Sequence, residues 1–266
     1  MLLQALSRRI RSRRDQILSN PLVALYTHRP TLISANRAMG IGFAANVLAL
    51  PIGFSLIFER GVVGEISLLA SLMMLVYALI PALIAYTAVS MTGDWLGQRY
   101  TLLHITPLTD LKLLCGYTAS ALYICRPMLA FIAGSFPTVA VSLMYAANSN
   151  FHFWCMQYLT PECDSPSLAD GIARVVTGAL LAMNLWGVIF LAAVFGAGLM
   201  VAFRLRFLAA MIAVTMITLL TFFPLGTVMN VSLAVGFWGM VLFLPVPYLV
   251  GGGIIFALQP LVRRYD

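Results

Sequence analysis

Residues 171–203 read GIARVVTGALLAMNLWGVIFLAAVFGAGLMVAF, residues 204–206 read RLR, and residues 207–230 read FLAAMIAVTMITLLTFFPLGTVMN. Two long apolar runs meet at a short basic turn, and the only charge inside either run is Arg174. A helix that crosses a bilayer needs about 20 predominantly apolar residues. Each run is long enough, and helices that are apolar all round need lipid or a large core around them. The two runs with their Arg-Leu-Arg turn therefore predict a helical pair that crosses a membrane and returns.

The same pattern recurs along the chain. Hydrophobic residues make up 61% of the 266 residues and charged residues 9%, against roughly 25% charged in a soluble domain. The predicted fold is an all-α integral membrane protein with six transmembrane helices, at about 39–58, 67–91, 113–147, 171–203, 207–230 and 231–258. Pro81 sits inside the second span, where neighbouring helices tolerate a kink. The third run, Leu113–Ala147, is 35 residues long, about 50 Å as a helix. That exceeds a hydrocarbon core of about 30 Å, so the run tilts, extends beyond the bilayer, or breaks near Arg126-Pro127. Residues 1–38 form a cytoplasmic segment ahead of the spans and 259–266 a cytoplasmic tail, opened by Pro260.

Charge orients the predicted bundle. With the N-terminus inside, the inner face carries Arg8, Arg9, Arg11, Arg13, Arg14, Arg29, Arg37, Arg99, Lys112, Arg204, Arg206, Arg263 and Arg264, which is 13 of the 16 basic residues. The outer face carries Arg60 and Arg174, together with Glu59, Glu65, Glu162, Asp164 and Asp170. Basic residues concentrate on cytoplasmic loops, so both termini are expected in the cytoplasm of a multi-pass protein of the cell's inner or plasma membrane. Five or seven spans would scatter the arginines over both faces. The net charge of +7 then reflects topology and contact with anionic headgroups, and no basic stripe interleaved with stacking aromatics points to nucleic acid.

The N-terminal residues have a pattern of their own. Leu2, Leu3, Leu6 and Ile10 recur at helical spacing against Arg8, Arg9, Arg11 and Arg13. This predicts an amphipathic helix in the inner headgroup region, the alternative being a disordered basic tether. No apolar run of signal-peptide length follows it directly. The four cysteines, Cys115, Cys125, Cys155 and Cys163, form no CxxC pair, which argues against a zinc ribbon or redox motif. Cys155 and Cys163 share the outer loop 148–170, where an oxidising compartment allows a disulfide. Two free thiols fit equally well. Trp154 and Tyr158 beside them are candidate interfacial anchors.

The segment between spans two and three is the most informative for function. It runs TGDWLGQRYTLLHITPLTD from Thr92 to Asp110. Leu96, Leu102, Leu103 and Ile105 form an apolar strip on a short helix, and Thr106-Pro107 ends it because a residue before proline avoids the α region. Thr109-Asp110 offers a cap for a helix starting at Leu111. A compact helix–turn–helix on the cytoplasmic face suits contact with a soluble partner.

This segment resembles the cytoplasmic signature of the ABC-2 type permeases, the membrane subunits of a class of ABC exporters. In that family the second span runs into a short amphipathic helix and an LLxxTPL stretch. Here Leu102-Leu103-His104-Ile105-Thr106-Pro107-Leu108 stands in that place, with Gly116 where the family often has glycine. The six-span topology and basic N-terminal helix match as well, so the resemblance covers essentially the whole chain. It implies a permease that moves a hydrophobic or amphiphilic substrate, pairs with a second permease copy or homologue, and docks an ABC ATP-binding subunit that holds ATP and Mg. The implied coupling surface is Asp94, Arg99, Leu102, Leu103, Thr106, Pro107 and Leu108. The family's acidic-basic cluster ahead of the TPL stretch is only partly echoed, by Asp94, Gly97 and Arg99, and its central Glu-Arg-Glu is missing. That departure leaves a second reading open, a structural or accessory transmembrane subunit of a larger membrane complex.

Other chemistry finds little in the sequence. No Gly-Lys-Ser/Thr is possible around Lys112, the only lysine, so ATP hydrolysis by a P-loop is excluded and the chain is expected not to be an enzyme. His28, His104 and His152 are far apart and form no metal motif, and no metal site or cofactor of the chain's own is expected. Ionisable residues inside spans are the usual functional candidates in membranes, and apart from Arg174, at the outer end of the fourth run, Arg126 is the one such residue. It is read either as a headgroup or intersubunit contact or as an inner-edge arginine that snorkels to phosphates. No acid lies within any span, which disfavours ion-coupled carriers. Asn46, Asn184 and Asn230 are candidates for hydrogen bonds between helices, and the glycines of the last spans for close packing.

Overall fold

The computed structural model describes residues 23, 33–57, 79–94, 96, 109–138, 168–230 and 244–262. Every regular element among them is an α-helix, and no strand occurs among them. In chain order the helices are α1 (Ala35–Ile57), α2 (79–94), α3 (Asp110–Ile124), α4 (Arg126–Gly134), α5 (Leu168–Phe203), α6 (Arg206–Asn230) and α7 (Val246–Val262). Each falls within or overlaps one of the six apolar runs. One stretch among the described residues, Ala182–Phe203, is long and apolar enough to cross a membrane, and most of it is buried inside the protein. Arg206–Thr221 and Val246–Leu261 are shorter apolar helices.

Local chemistry explains where the helices begin and break. Ser34 caps α1: its Oγ accepts the Arg37 N–H at 3.3 Å, satisfying one of the donors a helix start leaves open. α3 starts one residue earlier than expected, at Asp110, and Thr109 occupies the capping position without a side-chain bond. Asp110 complements the positive helix N-terminus instead. The long third run divides at Cys125, where Pro127 in the first turn of α4 lacks an N–H. Backbone bonds from Cys125 N to Ala121 O and from Leu129 N to Cys125 O, both 3.1 Å, carry the helical path through the break. α7 continues through Pro260 to Val262 rather than ending before the proline. Gly251-Gly252-Gly253 lie inside this helix, and Gly251 packs on the Phe190 ring.

α5 is the hub. It packs on α3, α6 and α7, and Gly196 lets the Ala85 backbone of α2 approach where a Cβ would collide with a carbonyl. Ile84, Ala85, Val89, Ile189, Ala192 and Ile217 lie in the resulting core. α1 packs chiefly on α4. There Gly42 meets Phe131 O and Gly134 meets Met39 O, so each glycine receives the other helix's backbone. Asn46 closes the same contact: its Nδ2 donates to Gly134 O at 2.7 Å, and its Oδ1 accepts from Thr138 Oγ1 at 2.6 Å and Thr138 N at 3.2 Å. Asn46 thus bonds between helices as expected. The Asn184 Oδ1 is buried with no hydrogen-bond partner among the described residues. The Asn230 side chain lies outside the described residues.

Two further features follow the composition. Thr87, Thr118, Ser135, Thr218 and Thr221 each donate a hydroxyl to the carbonyl four residues earlier, at 2.7–3.0 Å. Such back-bonding satisfies a hydroxyl without water. Phe43, Phe207, Leu219, Leu249 and Phe256 are strongly exposed on α1, α6 and α7, so the helices present apolar side chains outward as well as inward.

Candidate functional site at the junction of α2, α5 and α6

Two sequence elements converge at one end of the bundle. α2 carries Asp94 towards the segment that holds the Thr-Pro-Leu motif, and the Arg204-Leu205 turn joins α5 to α6. The turn needs only two residues because Arg204 takes a left-handed backbone, φ 54°. That conformation is uncommon for a residue with a side chain. Its own N–H bonds Met200 O at 3.0 Å, and Ala209 N–H bonds Leu205 O at 2.9 Å, so one helix ends and the next begins without a gap.

Asp94 Oδ1 and Arg206 Nη1 meet at 2.8 Å, with both side chains about half exposed, 54% and 52%. Arg206 is the first residue of α6, whose first turn has no acid. A cation there opposes the helix dipole. Asp94 supplies from α2 the negative charge that the start of α6 lacks. Gly93 makes the approach feasible: a Cβ there would lie 2.7 Å from Arg206 Nε and 3.1 Å from its Cγ. Thr92, one residue earlier, is fully buried and its Oγ1 has no partner among the described residues. The end of α2 is therefore held to the start of α6 by one ion pair and one close packing contact.

Arg126 sits at the break between α3 and α4, half-buried, with its guanidinium Cζ 4.4 Å from the Tyr123 ring centroid. No carboxylate among the described residues pairs with it. The adjacent Cys125 is buried beside Thr87, which precedes Asp94 by seven residues on α2.

Of the expected coupling residues, the structure places Asp94 at this junction. Arg99, Leu102, Leu103, Thr106, Pro107 and Leu108 lie outside the described residues, as do Cys155, Cys163 and the N-terminal amphipathic segment 1–22. Cys115 and Cys125 are free thiols. Among the described residues no group of three His, Cys, Asp or Glu is placed to hold a metal. Sequence reasoning marked Arg206 only as part of a basic turn and missed its partnership with Asp94. The signal was available, because the arginine count puts residues 94 and 206 on the same face of the predicted topology. No protein-family model, curated protein or solved structure matches the chain.

Proposed function

We propose that this chain is the transmembrane permease subunit of an ABC-2-like exporter, with six spans and both termini in the cytoplasm. It moves a hydrophobic or amphiphilic substrate and takes its energy from a separate ATP-binding subunit. The observation that carries this reading is the Asp94–Arg206 contact. The helix that leads into the Thr-Pro-Leu segment is tied to the first residue of α6, which follows α5 after two residues. A push on the segment 92–110 would reach α2, α5 and α6 together. Such a surface needs no catalytic group of its own, in keeping with a chain that lacks a P-loop.

The membrane setting has its own support. Exposed Phe43, Phe207, Leu249 and Phe256 would be costly in water, and large exposed apolar surfaces mark membrane or protein contact. Arg126 then reaches headgroups at the inner edge of the bilayer, or an acid on a second permease copy. The partly missing acidic-basic cluster favours a second reading, an accessory subunit of a larger membrane complex. Purification of the tagged full chain in mild detergent separates the two. A stoichiometric P-loop ATPase in the eluate is expected for the exporter. Integral membrane partners without an ATPase would overturn it.

A further inference from the structure

We propose that the break between α3 and α4 is a recognition site for an oxyanion carried on an apolar tail, with the Arg126 guanidinium as the anion contact and the Tyr123 ring as its support. The proposal rests on the membrane reading above and deepens it by naming the chemistry of the amphiphile. From Leu113 to Pro161 the one Lys, Arg, Asp or Glu is Arg126. It is half-buried, more enclosed than the Asp94–Arg206 pair, in which each side chain is about half exposed. Cys125 before it and Ile132 after it belong to the apolar core. A cation in such surroundings is costly without a counter-charge.

The described residues supply no such counter-charge. α3 and α4 contain one acid, Asp110, and the helical path of sixteen residues from it to Arg126 spans about 24 Å. Of the helices packed on these two, α1 and α7 have no acid, and α5 has Asp170 alone, in its first turn. Asp94 on α2 is engaged by Arg206. Arg126 has instead the Tyr123 ring, 4.4 Å from its Cζ to the centroid. A cation–π contact holds a guanidinium through its charge and uses none of its five N–H donors. The ring therefore supports a planar fork suited to bidentate contact with an oxyanion. The flanking side chains favour an anion with a tail. Leu122 and Leu129, about one turn to either side, are partly exposed, and Met128 is 38% exposed. A tail covers these side chains, whereas free phosphate would lose hydration beside them and gain no apolar contact.

The test mixes the full-length protein in dodecyl maltoside with dodecyl phosphate and counts bound amphiphile by native mass spectrometry. The detergent is itself a neutral competitor with the same tail. Wild type is expected to bind dodecyl phosphate saturably against this excess. R126M should weaken binding about tenfold to a hundredfold, the worth of hydrogen bonds to a charged group. R126K should lose part of it, because an ammonium keeps the charge without the fork. Y123L should weaken binding about two- to fivefold. Equal binding by wild type and R126M would overturn the proposal, as would inorganic phosphate that displaces dodecyl phosphate at equal concentration. Loss of a dimer in R126M with amphiphile binding intact would overturn it too, since the guanidinium would then meet an acid on a second copy. Phosphatidylglycerol added to the micelles distinguishes the sources of the anion. Displacement of dodecyl phosphate assigns the site to a bilayer lipid, persistence assigns it to a single-chain amphiphile, and either result sustains it. The measurement needs no ATP. A preparation without an ATPase therefore loses the exporter reading and leaves this site standing. A chain that stays in the bilayer on alkaline extraction but binds no dodecyl phosphate loses only this proposal, whereas a chain that is extracted loses the membrane reading itself.

Discussion

Asp94 near the end of α2 and Arg206 at the start of α6 form a 2.8 Å ion pair at one end of the helix bundle. Both side chains are half in solvent, so the pair contributes at most about 1 kcal/mol to stability. A contact this weak can break and reform during a working cycle. D94N and R206Q should therefore shift thermal unfolding in detergent only slightly. They should lower the activity of any co-purified ATPase more than they lower stability. The charge swap D94R/R206D should recover part of that activity. Equal losses in stability and activity would mean that the pair is merely structural.

The α1–α4 contact is set by backbone approach at Gly42 and Gly134. A Cβ at either position meets a carbonyl, which cannot move aside as a flexible side chain can. G42A and G134A are each expected to cost about 1–3 kcal/mol by overpacking, read as a lower melting temperature. Gly252 is the control. It lies within α7 with nothing in reach of an added Cβ, and G252A should be neutral or stabilising by up to about 1 kcal/mol through helix propensity.

Asn46 joins the same two helices through Gly134 O and Thr138. N46L should cost about 1–2 kcal/mol, since hydrogen bonds between helices in membranes have modest strength. T138V removes the hydroxyl and leaves the backbone donor, so it should cost less. The double variant should show a coupling of several tenths of a kcal/mol or more, as expected for residues in one hydrogen-bonded cluster. Additive effects in a double-mutant thermal unfolding cycle would contradict the shared network.

Arg126 over the Tyr123 ring predicts a further coupling. Cation–π contacts contribute about 0.5–1 kcal/mol at exposed sites. R126M and Y123L should each lower stability by that order in neutral detergent, and the combined variant should lose less than their sum. Anionic lipid should stabilise wild type more than R126M if the guanidinium also reaches headgroups.

Periodicity and apolar length were enough to anticipate most of the described helices. The run 171–203 and the helix Leu168–Phe203 agree because the run is long, apolar and free of proline. The break at Arg126-Pro127 was legible for the same reason in reverse, since proline withholds a donor. Helix starts were less legible. Ser34 begins α1 before the apolar run, and Asp110 joins α3 through its charge, so capping chemistry and not hydropathy sets those ends. The polar contacts were least legible. Nothing in the local sequence distinguishes Asn46, which finds Thr138, from Asn184, whose oxygen finds no partner. Only the tertiary register decides between them. Asp94 drew notice from the motif beside it, whereas its partner Arg206 required the fold.

The most direct test is ATP hydrolysis by the complex co-purified with the tagged chain and reconstituted into liposomes, wild type against Leu103→Asp. An apolar residue on the coupling strip turned acidic should uncouple the two subunits. The account predicts a stoichiometric ATPase in the wild-type complex, with hydrolysis falling at least severalfold in the variant while the permease remains folded in the bilayer. A wild-type eluate with no ATPase, or hydrolysis unchanged by Leu103→Asp, would contradict it.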